Sequence, residues 1–314
     1  MPQEAPDRKR PDTAAWEHPD PEPEPRSPRR WPHLVGAFLA GGTLVGLVAA
    51  AANLDLLGDG NTGIPSTSPS SSAPGGVRGQ ERPGESGTLD PSQRIGTEAA
   101  VRGGWKLVDH DEFDGSALDT SRWSPYTGET TGGVGRHKAE NLSVRDGQLV
   151  LTSRGLTSAG LAWQGGQTYG RWEIRAKTNP GWGYGDVALL WPDAEDWPEG
   201  GEVNFMEIPK GDRSESHSIL HFGEDNSQVG HSTRGDFTQW HTYATEWTPD
   251  HVAYFIDGQE VFRSTDPKTV PERPMHLAIQ QDIGPYGNDW IPARDSRTPD
   301  ELDLQVDWVR IYAP

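Results

Sequence analysis

The chain has 314 residues, a formal net charge of -19, 32% hydrophobic residues, 38 Gly, 27 Pro, 13 Trp and no Cys. So acidic a chain lacks the basic stripe of nucleic-acid binders, and without Cys it can build no disulfide framework. The low apolar content implies that part of it does not fold, while the Trp excess suits a core, sugar stacking, or both.

Composition divides the chain into four regions. Residues 1–33 form a polar, Pro-rich tail, including Pro19-Asp20-Pro21-Glu22-Pro23-Glu24-Pro25, with acids and bases nearly balanced, and read as a disordered cytoplasmic tail. Residues 34–54 read as a transmembrane signal anchor. No charge appears from Leu34 to Ala52, close to the ~20 residues a helix needs to cross a bilayer. Arg26, Arg29 and Arg30 precede it and place the N-terminus in the cytoplasm. A cleaved signal peptide is the alternative, with Ala49 to Ala52 as the small residues a peptidase accepts. Both readings export the remainder of the chain, either to the cell surface or as a secreted protein. Residues 55–102 are a Gly/Ser/Pro-rich linker that cannot bury enough apolar surface to offset its ordering entropy.

Residues 103–314 carry the folding signals, and these are strands. Gln148-Leu149-Val150-Leu151-Thr152 follows an Asp146-Gly147 turn, and Tyr169 to Lys177 alternates apolar with charged residues. Val252 to Ile256 meets Gln259 to Phe262 across Asp257-Gly258, the strongest short hairpin signal, and Leu304 to Tyr312 closes the chain. Many short strands without a competing 3.6-residue period predict one antiparallel β-sandwich with its first and last strands close together.

The chemistry-bearing candidate is Glu202-Val203-Asn204-Phe205-Met206-Glu207. In a regular strand Glu202 and Asn204 share a face, and Glu207, five positions on, points the other way. A β-bulge at Phe205-Met206 would return Glu207 to the face of Glu202. Two glutamates on one face are what a retaining glycosidase needs: a nucleophile and an acid/base about 5–5.5 Å apart. The competing reading is an edge strand with solvent-facing acids.

The flanking sequence resembles glycoside hydrolase family 16, the laminarinase and lichenase-like proteins. The resemblance rests on Asp111-Glu112-Phe113-Asp114-Gly115, Leu118 to Trp123, Asn141-Leu142-Ser143-Val144, Tyr169-Gly170-Arg171-Trp172-Glu173, Trp247-Thr248-Pro249-Asp250 and Val306 to Tyr312, in that order. It implies a β-jelly-roll sandwich of the concanavalin A-like lectin/glucanase type with a long open cleft. It also implies a retaining endo-glycosidase acting on internal bonds of a polysaccharide such as a β-1,3- or β-1,3/1,4-glucan. The family signature is Glu-x-Asp-x-x-Glu, so Glu202 matches the nucleophile and Glu207 the acid/base, while Asn204 stands where the family has Asp. Asn keeps hydrogen-bonding capacity but removes a charge, which predicts a lower Glu207 pKa and a more acidic pH optimum than Asp would give.

Around this strand, the resemblance puts Trp191 on an aromatic-rich strand beside the catalytic one, and Trp182, Tyr184 and Trp197 are further candidates for sugar platforms or core aromatics. His221 is the family-like histidine near the acid/base, with His217 and His231 as alternatives, and alternation turns Gln280 to the polar face. Glu112, Gly147 and Asp307 match the positions that hold a structural Ca²⁺ in the family, and hard oxygen donors suit that ion. The chemistry itself requires no cofactor, and no phosphate-binding loop is present. The expected partners are a polysaccharide and, through the N-terminal helix, a membrane, with the protein a monomer. A carbohydrate-binding domain weakened in catalysis and a cell-wall transglycosylase are the competing functions.

Overall fold

The structure, a computed structural model, describes residue 100 and residues 103–314. The tail, the anchor or signal peptide, and nearly all of the linker lie outside the described residues, among which no helix is long and apolar enough to cross a membrane.

Eighteen strands make up the domain. They are β1 (Lys106–Asp111), β2 (Trp123–Pro125), β3 (Gly128–Glu129), β4 (Arg136–His137), β5 (Leu142–Arg145), β6 (Gln148–Arg154), β7 (Thr157–Ser158), β8 (Gly160–Trp163) and β9 (Gly170–Thr178). After these come β10 (Tyr184–Pro192), β11 (Glu202–Ile208), β12 (Glu215–Phe222), β13 (Ser227–Arg234), β14 (His241–Thr248), β15 (His251–Ile256), β16 (Gln259–Ser264), β17 (Met275–Ile283) and β18 (Glu301–Ala313). An eleven-stranded sheet runs β16-β15-β14-β9-β18-β6-β7-β4-β3, with β1 beside β18 and β5 beside β6. A seven-stranded sheet runs β13-β12-β11-β10-β17-β8-β2. The pairing of β1 with β18 joins the two ends of the domain, as expected.

Alternation explains both layers. Trp172, Ile174 and Ala176 of β9 and Tyr243 and Trp247 of β14 share one core with Leu190 of β10, Val203 of β11 and Leu277 and Ile279 of β17. Trp172 and Trp247 stack there at 6.0 Å, so part of the Trp excess is core. The intervening positions Val187, Leu189, Trp191 and Ala278 form a separate apolar patch on the outer face of the seven-stranded sheet, and that face carries the chemistry. The Asp146-Gly147 and Asp257-Gly258 turns have positive φ at both residues (54° and 71°; 51° and 73°), the hairpin geometry that matches strand twist.

Candidate active site

The site is built on β11. Against β10, Asn204 pairs with Leu189 and Met206 with Ala188, so Phe205 has no partner. Against β12, the register jumps from Asn204–Ile219 to Glu207–His217, placing Phe205 and Met206 opposite one residue. This is the expected bulge, and its cause is packing: consecutive Phe205 and Met206 are both wholly buried in the core between the sheets. The extra residue turns Glu207 onto the face of Glu202 and Asn204. Gly201, at φ 81°, leads into the strand, and a Cβ there would come 3.1 Å from the His221 carbonyl oxygen.

Glu202, Glu207 and His221 each present an atom within 4.8 Å of the other two. Glu202 Oε2 accepts a hydrogen bond from the Trp197 indole at 2.8 Å, and Oε1 is buried without a partner. Glu207 Oε1 accepts from Asn204 Nδ2 at 2.6 Å, and Oε2 accepts from the Trp290 indole at 3.1 Å. Asn204 Nδ2 also lies 3.4 Å from His221 Nε2, and His221 Nδ1 is 2.8 Å from Asn226 Oδ1. A ring carrying its hydrogen on Nδ1 donates to Asn226 and accepts from Asn204, which orients the amide toward Glu207. A divalent ion at these three side chains would compete with the indole and amide donors that already occupy them.

Glu207 is pushed up to about 8, first by burial and then by the negative charge of Glu202, with Asp282 adding to it; the Asn204 and Trp290 hydrogen bonds pull the other way. A carboxyl protonated at neutral pH beside a second carboxyl is the division of labour that acid/base and nucleophile require.

The remaining sequence-derived residues separate by location. His221 joins the pair, opposite Glu202. His217 lies opposite Glu207 with its ring 4.5 Å from that of Trp290, burial holding it down at about 4, while His231 is one strand further out. Trp197 reaches the nucleophile and stacks on Trp191 at 6.1 Å and 12°, so Trp191 is 5% exposed and lies beneath Trp197. Gln280 faces outward as expected and donates to Asp282 and Thr131. Trp182 packs on Gly211 and under the Arg297 guanidinium, in the loop before β10. Tyr184 belongs to the core with Ile283 and Leu302, which removes it as a platform. Within the cleft that the resemblance implies, the carboxylates are covered: Glu202 is 0% and Glu207 4% exposed, each beneath an indole donor.

Trp290, Asn226 and Asp282 escaped the sequence reading. Asp282 was within reach of it, being two positions beyond Gln280 on the same face. Trp290 and Asn226 lie outside the strands, where periodicity carries no signal.

The β1–β18 and β6–β18 ladders bring Glu112 and Gly147 to the stretch of β18 that holds Asp307. Glu112, however, pairs with Arg310 at 3.2 Å and Asp307 with Arg175 at 2.6 Å. Two guanidinium groups already supply the counter-charge, and as arranged this donor set does not fit a divalent cation.

Comparison with known proteins gives the same architecture and chemistry. The chain is 30% identical over 245 residues to a beta-glucanase of Rhodothermus marinus, covering 66% of this chain and 85% of that one. It is 26% identical to glucan endo-1,3-beta-glucosidase A1 of Niallia circulans, covering 74% of this chain but 41% of the relative. The structure of the Rhodothermus marinus laminarinase superposes with a TM-score of 0.60 at 28% identity over 66% of this chain and 97% of that one. The catalytic domain of the Thermotoga petrophila laminarinase, at 24% identity, shares the fold with a TM-score of 0.62 over 67% of this chain and 98% of that one. The family model for glycosyl hydrolases family 16 matches residues 134–310, more than half of the chain and the whole of the bulged strand. The chain therefore belongs to glycosyl hydrolase family 16 and is a glycoside hydrolase with the retaining chemistry general to that family.

Proposed function

We propose that the protein is a retaining endo-glycosidase that cleaves internal β-1,3 or β-1,3/1,4 bonds of a glucan, with Glu202 as nucleophile and Glu207 as acid/base. The observation that carries this is the bulge, which sets the two carboxyl groups on one face with atoms within 4.8 Å. In the first step Glu202 bonds to the anomeric carbon while the glycosidic C–O bond breaks, and Glu207 gives its proton to the leaving oxygen. In the second, Glu207 takes a proton from water, whose oxygen displaces Glu202 and restores the original configuration. No cofactor enters either step. Trp197 and Asn204 orient the two carboxylates, and Trp197, stacked over the buried Trp191, and Gln280 are the neighbouring groups proposed to meet sugar. Glucan specificity rests on the names of the relatives. Placement at the cell surface rests on the apolar run at residues 34–54, and a monomer is the simplest working state.

The test is incubation with laminarin, lichenan and agarose, followed by reducing-end and product-length assays. New reducing ends on the glucans with the β-anomer appearing first are expected. Longer products without new ends would make it a transglycosylase, and binding without turnover a carbohydrate-binding domain.

A further inference from the structure

Both oxygens of the acid are occupied in this structure. Glu207 Oε1 holds the Asn204 amide and Oε2 the Trp290 indole, yet a general acid must bring one oxygen within reach of the glycosidic oxygen. With Glu207 only 4% exposed beneath these donors, a cover has to move before that oxygen can reach substrate. Asn204 is wholly buried in a central strand and tied to His221, which is in turn tied to Asn226. Trp197, over the other carboxylate, is stacked on Trp191, and the residues beside it, Asp196 and Glu199, pair with Arg273. Trp290 packs on the His217 ring at 4.5 Å, without a stacked indole beneath it. It is half-buried at the end of a turn in which Asn288 and Asp289 are exposed and left-handed (φ 52° and 67°), between Tyr286 and Ile291, which bridge to each other.

We propose that Trp290 is a gate on the acid/base: its indole caps Glu207 Oε2 in the resting enzyme and withdraws when the glycosidic oxygen of the substrate takes that place. This rests on the reading of Glu207 as the acid. The proton then leaves from Oε2 to the glycosidic oxygen as the bond to the anomeric carbon breaks, and the displaced ring is left beside the leaving sugar. Trp290 is thus a positioning residue that acts through Glu207. The other groups bearing on Glu207 are Glu202 on its own strand, Asp282 on β17, His217 and His221 on β12, Tyr286 in the gate loop and Tyr254 on the opposite sheet. None of these is removed by a change at Trp290.

The test uses the full chain with ¹⁵N-labelled Trp. The indole N–H resonance missing from Trp290→Phe identifies Trp290. In the free protein it should titrate near pH 8 and cease to do so in Glu207→Gln. Laminaritetraose added to Glu202→Gln, which binds without turnover, should shift it and speed its exchange with solvent. Trp290→Phe keeps the ring and loses the donor. Its KM should fall by up to about fivefold, the worth of a hydrogen bond of about 1 kcal/mol. The alkaline limb of its pH profile should move upward. A resonance indifferent to pH, or one that titrates but ignores bound laminaritetraose, overturns the gate while leaving glucan hydrolysis intact. Failure to hydrolyse any glucan overturns the functional reading instead, and a titrating indole in the free protein would then still establish the Trp290–Glu207 contact.

Discussion

Asn204 is the residue on which the chemistry turns. Its amide donates to Glu207 and so favours the ionised acid, where an aspartate would add a second negative charge. Asn204→Asp should therefore move the alkaline limb of kcat/KM to higher pH, measured on a soluble β-glucan; an unmoved limb would remove this electrostatic account. Glu202→Gln and Glu207→Gln should each lower kcat by about 10²–10⁴-fold or more, since each removes a proton-transfer or bond-forming partner. Glu207 also links pH to stability. Its pKa rises from 4.5 to about 8 on folding, so its contribution is fully present below pH 4.5 and is lost as pH rises toward 8. Glu207→Gln should accordingly be more stable than the parent at pH 8, by on the order of a few kcal/mol, and no more stable at pH 4. Thermal melts at the two pH values check it.

At the scale of the element, the bulged strand is the device that makes the site. Deleting Phe205 would leave Glu202 and Glu207 four positions apart in plain alternation, still on one face, but would remove the twist of the bulge and a wholly buried ring. The expected result is lowered turnover, because the twist that aims the two carboxyl groups is lost, with unfolding still cooperative but at lower stability, followed by assay and circular dichroism. Phe205→Ala keeps the register and tests packing alone, with an expected cost of about 3–5 kcal/mol from the cavity it leaves. The bulge was legible in the sequence because two glutamates five apart can share a face only if one residue is added. The hairpins at Asp146-Gly147 and Asp257-Gly258 were legible because few residues other than Gly, Asn and Asp accept a left-handed backbone. Which Trp serves which purpose was not legible. Trp172 and Trp247 read much like Trp191 and Trp197, and only strand pairing sends the first two inward and the others onto the site face.

For the whole molecule, the face away from the site is held by ion pairs. Arg310 pairs with Glu112, and Arg175 with Asp307, at the positions where a cation was expected. Chelators should then leave Tm within about 2 °C, less than 1 kcal/mol for a domain of this size, whereas Arg175→Ala should create a Ca²⁺ dependence. A chelator-induced fall in Tm of the parent would show that Ca²⁺ displaces Arg175. Local order in the chain was enough to determine the β-sandwich, its closing strands, the carboxylate pair and the need for a bulge, because alternation and turn chemistry act over a few residues. The Trp290 cover over Glu207, the Arg310–Glu112 pair and the Arg175–Asp307 pair join residues 83, 198 and 132 positions apart, and the Asn204–His221 contact crosses from one strand to the next. Those contacts exist only once the sheets have paired, so the tertiary structure alone decided them.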